Sequence, residues 1–277
     1  MIHDLLEKAY QEYHRERFKL EDPVSLVHSF HQNADREMVG LLASLLAYGN
    51  VSTIMASVRR ILTQLGGSPA DCVMNLGFVG RFSQFKHRFT TGDDIEILLY
   101  WIRSVFISSG TIEKYFTESQ ITSEPFVMKE KLSSFVKRFS SQELPASLLT
   151  KRKKRLRNLK YLIPDPDRGS ACKRLNMFLR WMVRNNDGID LGLWKTISPR
   201  DLMLPVDTHI LKVLRRLRWT ASQQATWKVV EDATLRLRTL LPEDPIRYDF
   251  SLCHLSMAGV DLNRYFSTKR KSIEKVA

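Results

Sequence analysis

The sequence predicts an all-α protein, and three observations carry that reading. Apolar residues recur at i, i+3, i+4 and i+7 in one segment after another. Helix-starting and helix-stopping residues bracket those segments. Strand signals are weak, because no β-branched alternation lasts beyond three or four residues. The 277-residue length and 43% hydrophobic content suit one large or two modest domains.

Taken in order, residues 2 to 19 read as an amphipathic helix with Leu5, Leu6, Ala9, Tyr13 and Phe18 on one side. Asp22-Pro23 is a fresh start, a cap followed by Pro at the first helical position, and Val24, Leu26, Val27 and Phe30 follow on a short helix. From Asp35 the chain is at its most apolar. Met38, Val39, Leu41, Leu42, Leu45 and Leu46 cover most of a helix circumference, which predicts a buried central helix. Tyr48-Gly49-Asn50 ends it. Residues 51 to 65 form another amphipathic helix, closed by Gly66-Gly67-Ser68-Pro69, and a short helix spans 70 to 76. Thr91-Gly92-Asp93-Asp94 caps a helix with Ile95, Leu98, Leu99, Ile102 and Phe106 inward. Short and long helices follow at 111 to 116 and 126 to 139, separated by a polar loop at 117 to 125.

Formal net charge is +13 and the pI about 9.7. Such an excess favours a polyanionic partner, nucleic acid before a membrane surface. Cys72, Cys172 and Cys253 are far apart and form no CxxC or Cys/His cluster, so no metal and no cofactor are expected. Met1 to Leu20 lacks an apolar core, so no secretory signal is expected. No apolar run is long enough to span a bilayer.

Residues 151 to 160 hold seven basic side chains in ten. A nucleic-acid contact, a nuclear-localisation-like run and a solvated helix face all fit that composition. A proline- and glycine-bearing turn, Leu162 to Ser170, leads into a helix over 171 to 184. Ala171, Leu175, Phe178, Leu179 and Met182 share one stripe, with Lys173, Arg180 and Arg184 opposite. That polar face reads either as a phosphate-facing surface or as the ordinary outer side of an amphipathic helix. Asn185 to Ser198 is irregular, with Trp194 as an anchor.

Next comes Leu204-Pro205-Val206-Asp207-Thr208-His209-Ile210. Ile210, Val213, Leu214 and Leu217 form an apolar stripe, and Lys212, Arg215, Arg216 and Arg218 the other face. Asp207 at the start of this helix is either a cap or a catalyst. A helix over 226 to 240 follows, and Glu243-Asp244-Pro245 starts a last long helix that ends at Gly259. Residues 264 to 277 form a basic tail.

Val206-Asp207-Thr208-His209-Ile210 resembles the Val-Asp-(Thr/Val)-His motif of the helix–hairpin–helix DNA glycosylase superfamily, which includes endonuclease III-type and 8-oxoguanine-type enzymes. Arg36 to Ala47 resembles the central helix of that fold, and Asn50 to Pro69 the helix after it. The likeness covers most of 36–110 and 160–260, and the chain resembles still more an uncharacterised, divergent bacterial branch bearing Ser170-Ala171-Cys172-Lys173-Arg174-Leu175-Asn176-Met177-Phe178-Leu179-Arg180-Trp181. In place of the superfamily's glycine-rich hairpin stands Ile163 to Lys173, which keeps one glycine, Gly169. The gap from Lys173 to Asp207 is 34 residues, longer than is usual and similar to that of the archaeal 8-oxoguanine branch. Lys195, in the inserted segment, is a second candidate lysine. There is no four-cysteine cluster, hence no iron–sulfur cofactor.

The resemblance implies two helical subdomains with a cleft between them. Residues 1–34 would pack with the C-terminal subdomain, 35–196 would be a central helical barrel with the divergent hairpin at 162–173, 197–262 the C-terminal subdomain, and 263–277 a basic tail. It implies base-excision repair of double-stranded DNA carrying a damaged base, with oxidised purine the first expectation, by a cytoplasmic, nucleoid-associated monomer that does not bind membranes. Lys173 would be the nucleophile and Asp207 the anion that stabilises an oxocarbenium-like sugar. Lys151, Arg152, Lys153, Lys154, Arg168, Gly169, Arg174, Arg180, Arg184, Arg215 and Arg216 would contact DNA. Met177, Trp181, Trp194, His209 and Tyr248 would form the pocket for an extruded base. A non-catalytic nucleic-acid-binding protein of this fold, or an RNA-acting protein, are the alternatives.

Overall fold

The computed structural model describes residues 2–118, 127–185 and 187–267. In chain order the helices are α1 (Ile2–Tyr13), α2 (Glu16–Lys19), α3 (Val24–His28), α4 (Asn33–Leu45), α5 (Val51–Leu65) and α6 (Pro69–Met74). A minimal antiparallel hairpin, β1 (Lys86–His87) and β2 (Thr90–Thr91), precedes α7 (Gly92–Ser109), α8 (Ile112–Thr117), α9 (Met128–Ser140) and α10 (Ala146–Leu162). The remainder is α11 (Lys173–Val183), α12 (Thr208–Arg216), α13 (Trp227–Leu240), α14 (Asp249–Met257) and α15 (Leu262–Tyr265). Among the described residues the protein is all-α apart from that hairpin.

The centre is α4, whose residues 37 to 45 are all buried. It packs against α3 on one side and α11 on another, and Gly40 lets α11 approach closely. A Cβ at Gly40 would lie 2.7 Å from Met182 Cε. Two acidic residues on this apolar helix have defined work. Asp35 accepts from the backbone N–H of Ala70 at 2.8 Å, holding the start of α6. Glu37 accepts from Ile112 and Glu113 N–H groups and from Trp194 Nε1, which ties α8 and the 189–197 segment to the core. Buried carboxylates of this kind are tolerated because several donors replace the lost water.

Side-chain caps fix the other helices. Asn50 accepts from Ser52 N–H at the start of α5, Thr111 from Lys114 N–H at α8, and Thr226 from Val229 N–H at α13. Thr91 and Asp94 form a reciprocal capping box at α7. α7 packs on α10 and α8, α1 on α14, and α12 on α14.

Four expectations need correction. The helix expected over 2–19 is broken between α1 and α2, where buried His14 stacks on Tyr10 and sits 3.1 Å from Asp187. The hairpin at 86–91 was not expected; His87 is buried with Nδ1 2.9 Å from Ser57 Oγ. The last long helix starts at Asp249, not near Glu243, because Asp244 is drawn to Arg184. The helix at 171–184 is not amphipathic in place: every residue from Arg174 to Val183 is buried. The expected polar loop from residue 119, the first residue of the 126–139 helix and the basic tail from residue 268 fall outside the described residues, while Thr117 ends α8. None of the described helices is long and apolar enough to cross a membrane.

Candidate functional site

Three helices begin at one cavity of about 650 Å³: α11 with Lys173, α12 behind its cap Asp207, and α14 with Asp249. Met177, Thr208, His209, Cys253, His254 and Met257 complete the inner wall, and Asp22, Tyr48, Gly49 and Asn50 stand on the opposite side. Helix N-termini carry positive partial charge and unpaired N–H groups, so their convergence favours anions there.

Lys173 and Asp207 face each other, with Nζ 3.9 Å from Oδ2. The two Asp207 oxygens do different work. Oδ1 accepts from His209 N–H at 2.8 Å and Ile210 N–H at 2.9 Å. Oδ2 is the one turned to Lys173. Both side chains are about a quarter exposed, at 27% and 21%, so a ligand in the cavity reaches them.

Lys173 is placed by the turn before it. Pro166–Arg168 form one turn of 3-10 helix, and Gly169 continues in the left-handed region at φ 79°. The Gly169 carbonyl accepts from Trp227 N–H at 3.0 Å, and Ser170 pairs with Thr226 in an isolated antiparallel bridge. Asp165 and Asp167 both accept from Ser133 Oγ on α9, and Asp167 also from Lys137 Nζ. Cys172 is left-handed too, at φ 47°, although it carries a Cβ. Its Sγ donates to the Pro164 carbonyl at 3.3 Å, which holds the conformation. Its thiol is inert, since burial pushes it up to about 12.

The floor of the cavity is a buried charge network. Arg180 donates to Asp190 at 3.1 Å and to Asp249, and Arg184 binds Asp187, Asp190 and Asp244. Burial pushes the Asp249 carboxyl up to about 6 despite the Arg180 guanidinium, and the Asp207 charge adds to the rise. Burial, with Asp207 and Asp249 close by, also drives the Cys253 thiol well above its ordinary value. Burial lowers His254 as well, which disfavours its charged form. Of the nucleophilic side chains on the wall, Cys253 is thus kept protonated and Lys173 stands beside a carboxylate.

The expected site residues divide clearly. The cavity unites Lys173, Asp207, Met177 and His209, and the buried Arg174 and Arg180 also line it. Trp181, Trp194 and Tyr248 do not line it; they are core side chains at 0%, 2% and 0% exposure. Tyr248 instead donates its hydroxyl to Glu7 on α1. Lys195 lies elsewhere, with Nζ on the Gly192 carbonyl. Arg180 and Arg184 do not face out toward phosphates, because four aspartates neutralise them inside the protein. Arg174 is buried as well, donating to the Leu45 and Tyr161 carbonyls. Of the basic residues expected to contact DNA, Lys153, Lys154, Arg168 and Arg215 are exposed, as is Gly169. Lys151 pairs with Asp93 and Glu96, Arg152 donates to the Ser140 carbonyl, and Arg216 to the Asn263 carbonyl.

Asp249, Cys253, His254 and Asp22 belong to the site without having been singled out. The signal for two of them was present: Asp249, Cys253 and Met257 are four apart and share a face of α14. Among the described residues no group of three or more His, Cys, Asp or Glu is placed to hold a metal ion.

Residues 22–258 match the model of a family described as "Protein of unknown function (DUF2400)". Comparisons with curated proteins and with solved structures found no match.

Proposed function

The chain belongs to this family of unknown function, and we propose from the site itself that it is a DNA glycosylase with an associated AP lyase step. One observation carries the reading: a lysine amine 3.9 Å from a capped carboxylate, inside a cavity of a size to take an extruded base. Lys173 attacks C1′ of the damaged nucleotide. The C1′–N bond breaks, and its electron pair leaves with the base, which takes up a proton. Asp207 Oδ2 opposes the positive charge that develops on the sugar. Loss of a proton from Lys173 and opening of the sugar leave a Schiff base at C1′. Removal of a C2′ proton then expels the 3′ phosphate by β-elimination.

The architecture supports the same reading. Helix α10, the turn with left-handed Gly169, and α11 follow one another as helix, hairpin and helix. The two-subdomain division, a monomer acting in the cytoplasm on nucleoid DNA, and a preference for oxidised purines follow from this proposal.

The test is a panel of duplexes, each with one damaged base, incubated with the protein and borohydride. A covalent protein–DNA adduct on one lesion, with release of the free base, is the expected result. No adduct and no free base on any lesion would leave a binding protein of the same fold, and stronger binding to structured RNA than to damaged duplex would favour an RNA-acting one.

A further inference from the structure

Outside the cavity mouth lies a surface that the excision chemistry does not use. Phe89 and Tyr161 are exposed at 49% and 47%, an unusual state for two large aromatics side by side. They form one cluster with Tyr48. The Phe89 and Tyr48 rings are stacked, 5.7 Å apart and 6° from parallel. Tyr161 meets both edge-on, at 5.4 and 5.3 Å. Tyr48 lines the cavity and therefore joins the cluster to it.

The cluster is held rigidly. Phe89 sits in the two-residue turn between β1 and β2, after Arg88 in the left-handed region at φ 53°. The Phe89 carbonyl accepts from Arg155 and from Asn158 Nδ2 on α10. The Tyr48 hydroxyl donates to the His87 carbonyl and lies 2.6 Å from Thr90 Oγ1. The Arg174 guanidinium packs on Tyr161 at 4.7 Å and on Tyr48 at 5.3 Å. An apolar side chain that merely escaped burial needs no such fastening. The hairpin and both helices spend hydrogen bonds on keeping these rings in place.

A charged track leads to the cluster. At 100° per residue, Lys153, Lys154, Arg157, Lys160 and Tyr161 share one face of α10. All five are exposed. The ion pairs of this helix are made by Lys151 and Arg155 instead, with Asp93, Glu96 and Asp94. Arg88 adds a cation over the Phe89 ring at 5.4 Å. Cations in a row that end at exposed aromatic rings match the chemistry of a nucleic-acid strand with unpaired bases: phosphates at regular spacing, then a flat π-face without a neighbour.

We propose that the outer face of α10 and the Phe89–Tyr161 ledge form a binding surface for a DNA strand with unpaired bases, with the ledge stacking a base beside the cavity. A lipid surface is the less favoured occupant, because the aromatics flank one cavity and the cations form a stripe rather than a ring around them. The surface requires no excision chemistry, so it stands or falls separately from the glycosylase reading.

The test uses the full chain and undamaged DNA, by fluorescence anisotropy. The probes are a perfect duplex, the same duplex with a short unpaired bubble, and the single strand. The bubble and the single strand should bind more tightly than the perfect duplex. Phe89→Ala and Tyr161→Ala should each weaken bubble binding about ten-fold and leave perfect-duplex binding and thermal stability nearly unchanged. Phe89→Trp and Tyr161→Phe should restore it. Lys153→Ala and Arg157→Ala should each flatten the slope of log affinity against log salt by about 0.7 on the single strand. Equal affinity for all three probes, or the same loss on every probe in the alanine variants, overturns the proposal. So does binding of the wild type to phosphatidylserine-containing vesicles that Phe89→Ala abolishes while DNA binding is retained. Because no damaged base and no borohydride are present, failure of the adduct experiment does not decide this one.

Discussion

Lys173 Nζ lies 3.9 Å from Asp207 Oδ2, although 34 residues of chain separate them. Neither residue is held by its side chain alone. The turn before Lys173 is hydrogen-bonded to the start of α13 through Gly169 and Trp227, and Asp207 is fixed by two N–H groups of α12. A backbone bond before Lys173 and the side-chain cap made by Asp207 therefore set the distance between amine and carboxylate.

The division of labour between the Asp207 oxygens separates stability from chemistry. Asparagine caps a helix as well as aspartate does, and alanine does not. Asp207→Asn should leave urea unfolding within about 0.5 kcal/mol of wild type, and Asp207→Ala should cost about 1 kcal/mol. Both should lower single-turnover excision at least about 100-fold, because both remove the charge at Oδ2. Equal activity of Asp207→Asn and wild type would return Asp207 to being a cap.

Two lysines were candidates from the sequence, and position distinguishes them. Lys173→Gln should lose the borohydride adduct completely while keeping DNA affinity within about three-fold, as expected for one phosphate-distant cation. Lys195→Gln should form the adduct like wild type. An adduct that survives Lys173→Gln removes that residue from the reaction.

Basic residues of opposite burial should fail in opposite ways. Arg180→Ala leaves Asp249 buried without its guanidinium partner and Asp190 with Arg184 alone, and should cost about 3–5 kcal/mol in equilibrium unfolding. Arg184→Ala should behave alike. Lys153→Ala and Lys154→Ala should change stability by less than about 0.5 kcal/mol, and each should reduce the salt slope of duplex binding by about 0.9. A stable Arg180→Ala variant with a reduced salt slope would restore Arg180 to the DNA-facing surface.

Asp249 should give the fold an acid-side pH signature. Its carboxyl moves from an ordinary 3.8 to about 6 in the folded protein. Between those values the folded state holds a proton that the unfolded state has released. This contribution therefore favours folding at low pH, falls as pH rises from about 4 to about 6, and is flat above. The slope is at most about 1.4 kcal/mol per pH unit. Asp249→Asn should remove this slope from the difference between unfolding curves across that range. An unchanged slope would mean that Asp249 titrates as an ordinary carboxylate.

Much of the fold was legible. Thr91 and Asp207 announced helix starts through short-range chemistry, and both act as caps. The buried run at 38–46 was plain because an apolar circumference has one reading. Helix α11 was misread for a physical reason. Periodicity shows that Arg180 and Arg184 lie opposite an apolar stripe, but not that Asp187, Asp190, Asp244 and Asp249 arrive from elsewhere to neutralise them. The same blindness made Trp181 and Trp194 look like pocket residues. Both are aromatic and close to the site in sequence, but Trp194 Nε1 had a partner in Glu37, far back in the chain. The hairpin at 86–91 was missed because two-residue strands have no periodicity to read.

The segment between α11 and α12 bears on how the protein could be trimmed or redesigned. It delivers Asp187 and Asp190 to the guanidinium groups of Arg180 and Arg184, and Trp194 to Glu37. A shortened chain would expose two arginines to an apolar interior with half their counter-charges gone. Deletion therefore has to be paired with apolar replacements at 180 and 184, such as methionine or leucine, for the shorter protein to keep its core.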